Sequence, residues 1–152
     1  VHRQLISDVP IGSFLSGGLD SSSIVAFARE IKPDIRCFTL KTKDSMRGDG
    51  FANDFDYACK VADYLKVNLE VVEVDNKYLV DNLENMVYQL DEPIADPASI
   101  NVWLISKLAK KRGIKVLLSG AGGDDLFSGY RRHKALLNEF YWSFLPKKLE
   151  VY

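Results

Sequence analysis

Two glycine-rich turns hold most of the side chains in this sequence that could do chemistry. The first consists of Ser16, Gly17, Gly18, Leu19, Asp20, Ser21 and Ser22. Its glycines allow backbone N–H groups to approach an anion, its hydroxyls can donate hydrogen bonds, and the N-terminus of a following helix would favour negative charge. These features predict a phosphate-binding loop, although the same residue types also form tight turns with a helix cap.

Asp20 makes the simple structural interpretation less favourable. A carboxylate among anion-binding donors would repel phosphate unless a cation such as Mg²⁺ lay between the two groups. We therefore expect Asp20 to be a magnesium ligand as well as part of the loop.

The second turn consists of Ser119, Gly120, Ala121, Gly122, Gly123, Asp124 and Asp125. It again places carboxylates directly after glycines, whereas a purely structural loop would need one glycine with Asp124 as an ordinary N-cap. Two turns that follow two strands of one sheet can face each other across a crevice. We therefore expect Asp20 and Asp124 to hold one Mg²⁺ that bridges phosphates.

Hydrophobic spacing predicts the elements that position these turns. Strands are expected at 11–16, 35–40, 69–74 and 115–119, with a charged loop at 41–53. Helices are expected after the first turn, around 58–65, from 79 to a stop at Pro93, from a cap at Asp96 to Gly113, from Asp124, and in the aromatic segment beyond Arg131. This alternation predicts an α/β fold whose parallel sheet has helices on both faces, with ligands beyond the carboxyl ends of the strands.

Composition limits the function classes. The 152 residues are 47% hydrophobic and 27% charged, as expected for one soluble globular domain. The longest apolar run is about five residues, far short of the ~20 that cross a bilayer, so no membrane partner is expected. A net charge of −1 makes nucleic acid an unlikely partner. Cys37 and Cys59 form no metal-binding or disulfide pattern, which indicates a reducing, cytoplasmic setting, and both are expected to be packing residues.

The string SDVPIGSFLSGGLDSS, which ends at Ser22, resembles the start of the synthetase domain of glutamine-dependent asparagine synthetases. The pyrophosphate-binding loop of that family has the pattern SGGxDSS, which is specific for ATP pyrophosphatases in general. The resemblance continues through Phe38-Thr39-Leu40, Asp91-Glu92-Pro93 and the string LSGAGGDDLFSGY from Leu118 to Tyr130. It covers nearly the whole chain, so residues 1–152 are expected to be the N-terminal part of such a synthetase domain, truncated and without the glutaminase domain.

The resemblance implies an adenine nucleotide alpha-hydrolase-like (Rossmann-like) sheet with ATP lying across the strand ends. It also implies a carbon–nitrogen ligase that joins AMP to the side-chain carboxylate of aspartate or a related acid, releases pyrophosphate and then uses ammonia, supplied directly or from glutamine. Asp20 and Asp124 would hold Mg²⁺. The implied ATP contacts are Leu15, Ser16, Gly17, Gly18, Asp20, Ser21, Ser22, Leu40, Ser119 and Gly120.

Two positions depart from the family pattern. Ala121 stands where members commonly carry an acidic residue associated with amination, and Asp125 stands where glutamate is usual. Asp125 is therefore a candidate substitute in catalysis, beside Asp20 and Asp124. Two alternatives stay open: a non-catalytic nucleotide-binding module, and a nucleic-acid-modifying ATP pyrophosphatase, which the near-neutral charge disfavours. A homodimer also stays open.

Overall fold

A computed structural model of the chain describes residues 1–43, 51–92, 94, 96, 98–127, 133, 135, 136 and 138. The chain divides into two compact units, Val1–Gly120 and Ala121–Tyr152. Residues 44–50 of the loop expected at 41–53 lie outside the described residues, as do nearly all of the aromatic segment beyond Arg131 and Pro93. The expected loop was too long at both ends, because a strand continues to Thr42 and a helix begins at Phe51. The parts outside the described residues stay predictions.

The first unit contains a four-stranded sheet in the order β3-β2-β1-β4. All three pairings are parallel, which confirms the predicted sheet type. The strands are β1 (Ile11–Phe14), β2 (Arg36–Thr42), β3 (Asn68–Val74) and β4 (Val116–Leu118). Each lies within about two residues of its predicted position, because short apolar runs bounded by turns locate buried parallel strands well.

Four helices connect these strands, and a short 3₁₀ turn at His2–Leu5 precedes them. The helices are α1 (Leu19–Ile31), α2 (Phe51–Leu65), α3 (Asn76–Val87) and α4 (Ala98–Lys111). Asp96 Oδ1 accepts a hydrogen bond of 2.8 Å from Ala98 N–H, which confirms the predicted cap of α4. The same helix ends just before Gly113, whose φ of +79° stops helical geometry as predicted.

The helix that the sequence predicted to run from 79 to Pro93 ends earlier, at Val87. After that residue, Gln89 N–H donates to Met86 O and Leu90 N–H donates to Val87 O, so the chain tightens into three-residue turns. Leu90 nevertheless packs beside the core cluster that contains Met86. Leu90 is apolar because it packs against the core, not because it is helical. Its spacing therefore led to a helix that was predicted too long.

The two faces of the sheet have separate apolar cores. Leu15 of the β1 end, Val25 and Ala28 of α1, and Ala58 and Ala62 of α2 share one core with Cys37 of β2. Phe38 of β2 packs on the opposite face with Ile105 and Ala109 of α4, and Met86 of α3 joins Leu104 of α4 in a neighbouring cluster. The predicted covering of both faces by helices is thus confirmed, with α1 and α2 on one face and α3 and α4 on the other.

Cys37 is fully buried in this core, and burial raises the pKa of its thiol to about 12. Such a thiol is a packing residue, as the sequence predicted. Among the described helices, none combines the length and the apolar character that crossing a membrane would require.

The second unit is described over α5 (Gly123–Phe127) and a few residues beyond it. Its short helix begins one residue before the predicted Asp124 and carries Asp124 and Asp125 in its first turn. Acidic side chains are favourable there because they oppose the positive end of the helix dipole.

Candidate nucleotide-binding site

The strand order places the ends of β1 and β4 side by side. β1 pairs with β2 on one side and with β4 on the other. All strands are parallel, but successive strands are added toward one edge from β1 to β3 and on the opposite side of β1 for β4. This reversal in the order of strands falls between β1 and β4. In open parallel sheets this reversal leaves a crevice beyond the carboxyl ends of the two strands, where ligands bind. The first turn follows β1, and Ser119 and Gly120 follow β4, so these residues border that crevice.

The first turn is organised around the Ser21 hydroxyl. Ser21 Oγ accepts from Ser16 N–H at 3.2 Å, lies 2.9 Å from Ser16 Oγ, and donates to the Gly18 carbonyl at 3.2 Å. Ser21 is buried, whereas Ser16 and Gly18 are exposed. The buried hydroxyl thus ties the strand end to the first turn of α1 and leaves the outer rim of the turn open to solvent.

Gly17 could not be replaced without moving the backbone. Its φ is +83°, and a Cβ atom there would lie 2.5 Å from Ala58 N and 2.7 Å from the Tyr57 carbonyl carbon. A side chain would therefore be strained by conformation and would collide with α2. Gly18, the N-cap of α1, has an extended conformation and its nearest neighbour is the Ser16 hydroxyl. Gly17 therefore allows the turn to pack against α2, and Gly18, which has no side chain, leaves the outer surface of the turn accessible.

The N-terminal turn of α1 supplies the expected donors. The first N–H groups of a helix have no intrahelical acceptor and point outward, and the helix dipole adds partial positive charge there. Asp20 is half-buried in this first turn, and no side chain caps the helix start. Ser22 Oγ is buried and has no hydrogen-bond partner among the described residues. Because an unpaired buried hydroxyl is costly, this atom suggests a ligand contact.

Gly120, which follows the end of β4, lies against the start of α1. A Cβ atom at Gly120 would lie 2.8 Å from Ser21 N and 3.0 Å from both the carbonyl carbon and Cβ of Asp20. Ser13 strengthens the same junction, because its buried Oγ lies within hydrogen-bond distance of the Leu118 carbonyl, at 3.4 Å. The structure thus places Gly120 against the start of α1. That residues 121–125 face the first turn across a crevice stays a prediction.

Leu15 and Leu40 lie at the ends of β1 and β2, as expected. The Leu15 side chain is 1% exposed and packs in the core, and its N–H donates to the Phe38 carbonyl at 2.9 Å. Any contact of Leu15 with a nucleoside would therefore come from main-chain atoms. Leu40 is half-buried and lies beside the core of the other face, and Ser119 is exposed at the end of β4.

The remaining predicted site residues belong to the second unit. Ala121 is exposed, Asp124 is half-buried and Asp125 is exposed, and Leu126 N–H donates to the Gly122 carbonyl at 3.1 Å. Within the described ranges, no cluster of three or more histidine, cysteine or acidic residues could hold a metal ion. The pairing of Asp20 with Asp124 at one Mg²⁺ therefore stays a prediction.

Sequence reasoning did not single out Lys41. This residue ends up at the carboxyl edge of the sheet with its ammonium over the Phe55 ring. Its position in the charged stretch after Leu40 made it look like an ordinary loop lysine. The sequence held no clear signal for it, because β2 is a buried run without polar alternation and its last residues resemble the charged stretch that follows.

A comparison with solved structures defines the class of fold. The U34-tRNA thiolase NcsA of Methanococcus maripaludis aligns with a TM-score of 0.60 at 17% sequence identity, covering 99% of this chain and 51% of that one. At this identity the likeness shows the fold alone. The fold is α/β of the adenine nucleotide alpha-hydrolase-like kind, as predicted.

Sequence comparison then identifies the family. The family described as asparagine synthase matches residues 1–150, so the chain belongs to the asparagine synthase family. It is 39% identical over 139 residues to the glutamine-hydrolyzing asparagine synthetase 1 of Bacillus subtilis, covering 91% of this chain and 21% of that protein. It is 35% identical over 149 residues to a putative glutamine-hydrolyzing asparagine synthetase of Mycobacterium bovis, covering 98% and 22%. The chain thus spans about a fifth of the length of these relatives.

Proposed function

We propose that this chain is the ATP-handling part of a carbon–nitrogen ligase. The reaction joins AMP to the side-chain carboxylate of aspartate or a related acid, releases pyrophosphate, and then lets ammonia displace AMP to form the amide. The observation that carries the proposal is the contact of Gly120 with the first turn of α1 in a member of the asparagine synthase family. That contact supports the proposal because it sets the Gly120 backbone beside the N–H groups at the start of α1.

In this reaction the first turn binds pyrophosphate, the half of ATP that leaves. The N–H groups at the start of α1, including that of Ser21, and the hydroxyls of Ser16 and Ser22 bind the β and γ phosphates, while the Ser21 hydroxyl holds the shape of the turn through the Gly18 carbonyl. Negative charge develops on these phosphates as the bond to the α phosphorus breaks, and preformed donors stabilise it without reorganising. The acceptor carboxylate supplies the nucleophile, so no side-chain nucleophile is needed. Main-chain atoms of Leu15 and Leu40 flank the nucleoside, and Ser119 with Gly120 meets it from the other side.

Magnesium fits the donor chemistry at this turn. Mg²⁺ prefers carboxylate and phosphate oxygens, keeps several waters and commonly takes only one or two protein carboxylates. Asp20, half-buried beside the phosphate donors, has the right chemistry, and Asp124 is the second proposed ligand. The ion would neutralise phosphate charge and thereby remove the repulsion that Asp20 would otherwise exert.

Product analysis tests the proposal. The protein is incubated with ATP, Mg²⁺, ammonium and aspartate, and the products are separated by chromatography. The proposal expects AMP, pyrophosphate and asparagine in equal amounts, each dependent on aspartate. Release of ADP and phosphate, or no release with any amino-acid carboxylate, would contradict it.

Ala121 favours a second candidate, a nucleotide-binding module without ligase activity. The methyl group of Ala121 can neither accept nor deliver a proton, so the amination half-reaction depends on another acid, for which Asp125 is the candidate. Tight ATP binding without cleavage of ATP would support the module, whereas amide formation that is lost in an Asp125→Asn variant would support the ligase.

A further inference from the structure

Lys41 lies at the carboxyl edge of the sheet, on the face covered by α1 and α2. Side chains alternate along β2: Cys37 packs with α1 and α2, whereas Phe38 and Leu40 pack on the α4 face. Lys41 therefore shares the face of Cys37. It is half-buried and one residue from the end of its strand.

The ammonium group of Lys41 has an aromatic partner. Its Nζ lies 4.9 Å from the centroid of the Phe55 ring, a cation–π distance. The other basic side chain of β2, Arg36, pairs with Glu70, and Lys43, which follows the strand, pairs with Glu73 at 3.6 Å. No carboxylate of the described part of the chain neutralises Lys41. Within the described part of the chain, this half-buried positive charge therefore has an aromatic partner but no anionic one.

The helix α2 relates this charge to the phosphate-binding turn. Gly17 abuts Tyr57 and Ala58 of α2, and Phe55 lies one helical turn earlier on the same face as Ala58. A helix that connects two parallel strands runs antiparallel to them, so earlier residues of α2 lie further beyond the carboxyl edge. Phe55 precedes Ala58 by three residues, so it lies roughly 4.5 Å further along the axis of α2 than the point that Gly17 contacts. That displacement is toward the side where a ligand of the turn would bind.

We propose that Lys41 is a polyphosphate-binding residue that contacts the departing pyrophosphate half of ATP. The inference deepens the proposed function and rests on it. The first turn contains no lysine of its own, and a lysine from the neighbouring strand end supplies the missing mobile cation. The Phe55 ring orients the ammonium without neutralising it, as a carboxylate would.

The test compares Lys41→Met with Lys41→Arg and with a matched control, Lys107→Met. Lys107 lies 4.7 Å from the centroid of the Trp103 ring, so its substitution removes a similar cation–π contact. It belongs to the second half of α4, whose antiparallel course directs it toward the amino edge of the sheet. Dissociation constants for ATP, pyrophosphate and AMP are measured by calorimetry with Mg²⁺ present, and thermal unfolding confirms that each variant folds.

Lys41→Met is expected to weaken ATP and pyrophosphate binding by about ten- to hundredfold, as for a lost hydrogen bond to a charged group. AMP binding should stay unchanged, Lys41→Arg should retain most of the affinity, and Lys107→Met should match the unmodified protein. Unchanged pyrophosphate affinity in Lys41→Met, or an equal loss for AMP, would overturn the inference while leaving the proposed function standing. If the unmodified protein binds neither ATP nor pyrophosphate, the proposed function itself fails.

Discussion

Gly120 and Ser21 approach each other so closely that a Cβ atom at position 120 would lie 2.8 Å from the Ser21 nitrogen. They belong to different turns, far apart in the sequence, and the contact exists because β1 and β4 are neighbours in the sheet. The first turn of α1 is therefore held between the end of β4 and the helix α2, which Gly17 contacts. This double support keeps the proposed phosphate donors in place before ATP arrives.

Gly120→Ala should weaken nucleotide binding as well as stability. The added methyl group must displace backbone atoms of Asp20 and Ser21, so we expect ATP affinity to fall by at least about tenfold, with about 1–3 kcal/mol of lost stability from overpacking. Gly113→Ala is the control, because a side chain there is strained by the φ of +79° but meets nothing within 4 Å of its Cβ position, so the variant loses stability without a clash at the first turn. That control should cost about 1–2 kcal/mol of unfolding free energy and leave ATP affinity intact. Calorimetry measures the ATP affinity, and chemical unfolding measures the stability. Unchanged ATP affinity in Gly120→Ala would show that the contact between Gly120 and the start of α1 is not needed for binding.

Ser22→Ala should separate a ligand-binding hydroxyl from a packing hydroxyl. Ser22 Oγ is buried without a partner among the described residues, so its removal should leave the melting temperature equal or slightly higher while ATP affinity falls by about tenfold. Ser13→Ala is the control, because Ser13 Oγ donates to the Phe14 carbonyl at 3.1 Å. That variant should lose about 1 kcal/mol of stability without loss of ATP affinity. Equal behaviour of the two variants would show that Ser22 only fills space.

Much of the fold could be predicted because the signals are local. Apolar runs located the strands, and Asp96 and Gly113 marked the ends of α4. The features that could not be predicted from the sequence depend on contacts between segments that are far apart in the chain. The strand order, the burial of the Ser22 hydroxyl and the place of Lys41 over Phe55 arise only when the sheet assembles. The glycine turns themselves were visible, but the reason for Gly17, its contact with α2, was not.

Asp20→Asn should abolish Mg²⁺-dependent ATP binding with little effect on folding. The substitution removes a charge from a half-buried turn residue that makes no capping hydrogen bond, so the melting temperature should change little. Asp75→Ala provides the contrast, since Asp75 Oδ1 accepts from Tyr78 N–H at 2.6 Å and caps α3. Losing that cap should cost about 0.5–2 kcal/mol and spare ATP binding. If Asp20→Asn instead lowers the melting temperature and spares ATP binding, Asp20 is a structural residue.

Cys37 should make stability decrease at high pH. The folded-state pKa of about 12 lies above the ordinary value of 9.0, so the unfolded chain releases the thiol proton first. The contribution is fully present below pH 9 and is lost between about pH 9 and 12, at up to about 1.4 kcal/mol per pH unit. Unfolding by urea at several pH values measures the slope, and Cys37→Ala should flatten it. The same slope in both proteins would exclude Cys37 as the cause.

Isotope exchange between pyrophosphate and ATP tests the central claim most directly, because it reports reversible adenylation even if amination fails. The protein is incubated with ATP, Mg²⁺ and labelled pyrophosphate, with and without aspartate or a related acid. Label should enter ATP only when the carboxylate is present, and exchange should disappear in Asp20→Asn. Firm ATP binding with no exchange for any acid offered would contradict adenylation of a carboxylate at these two turns.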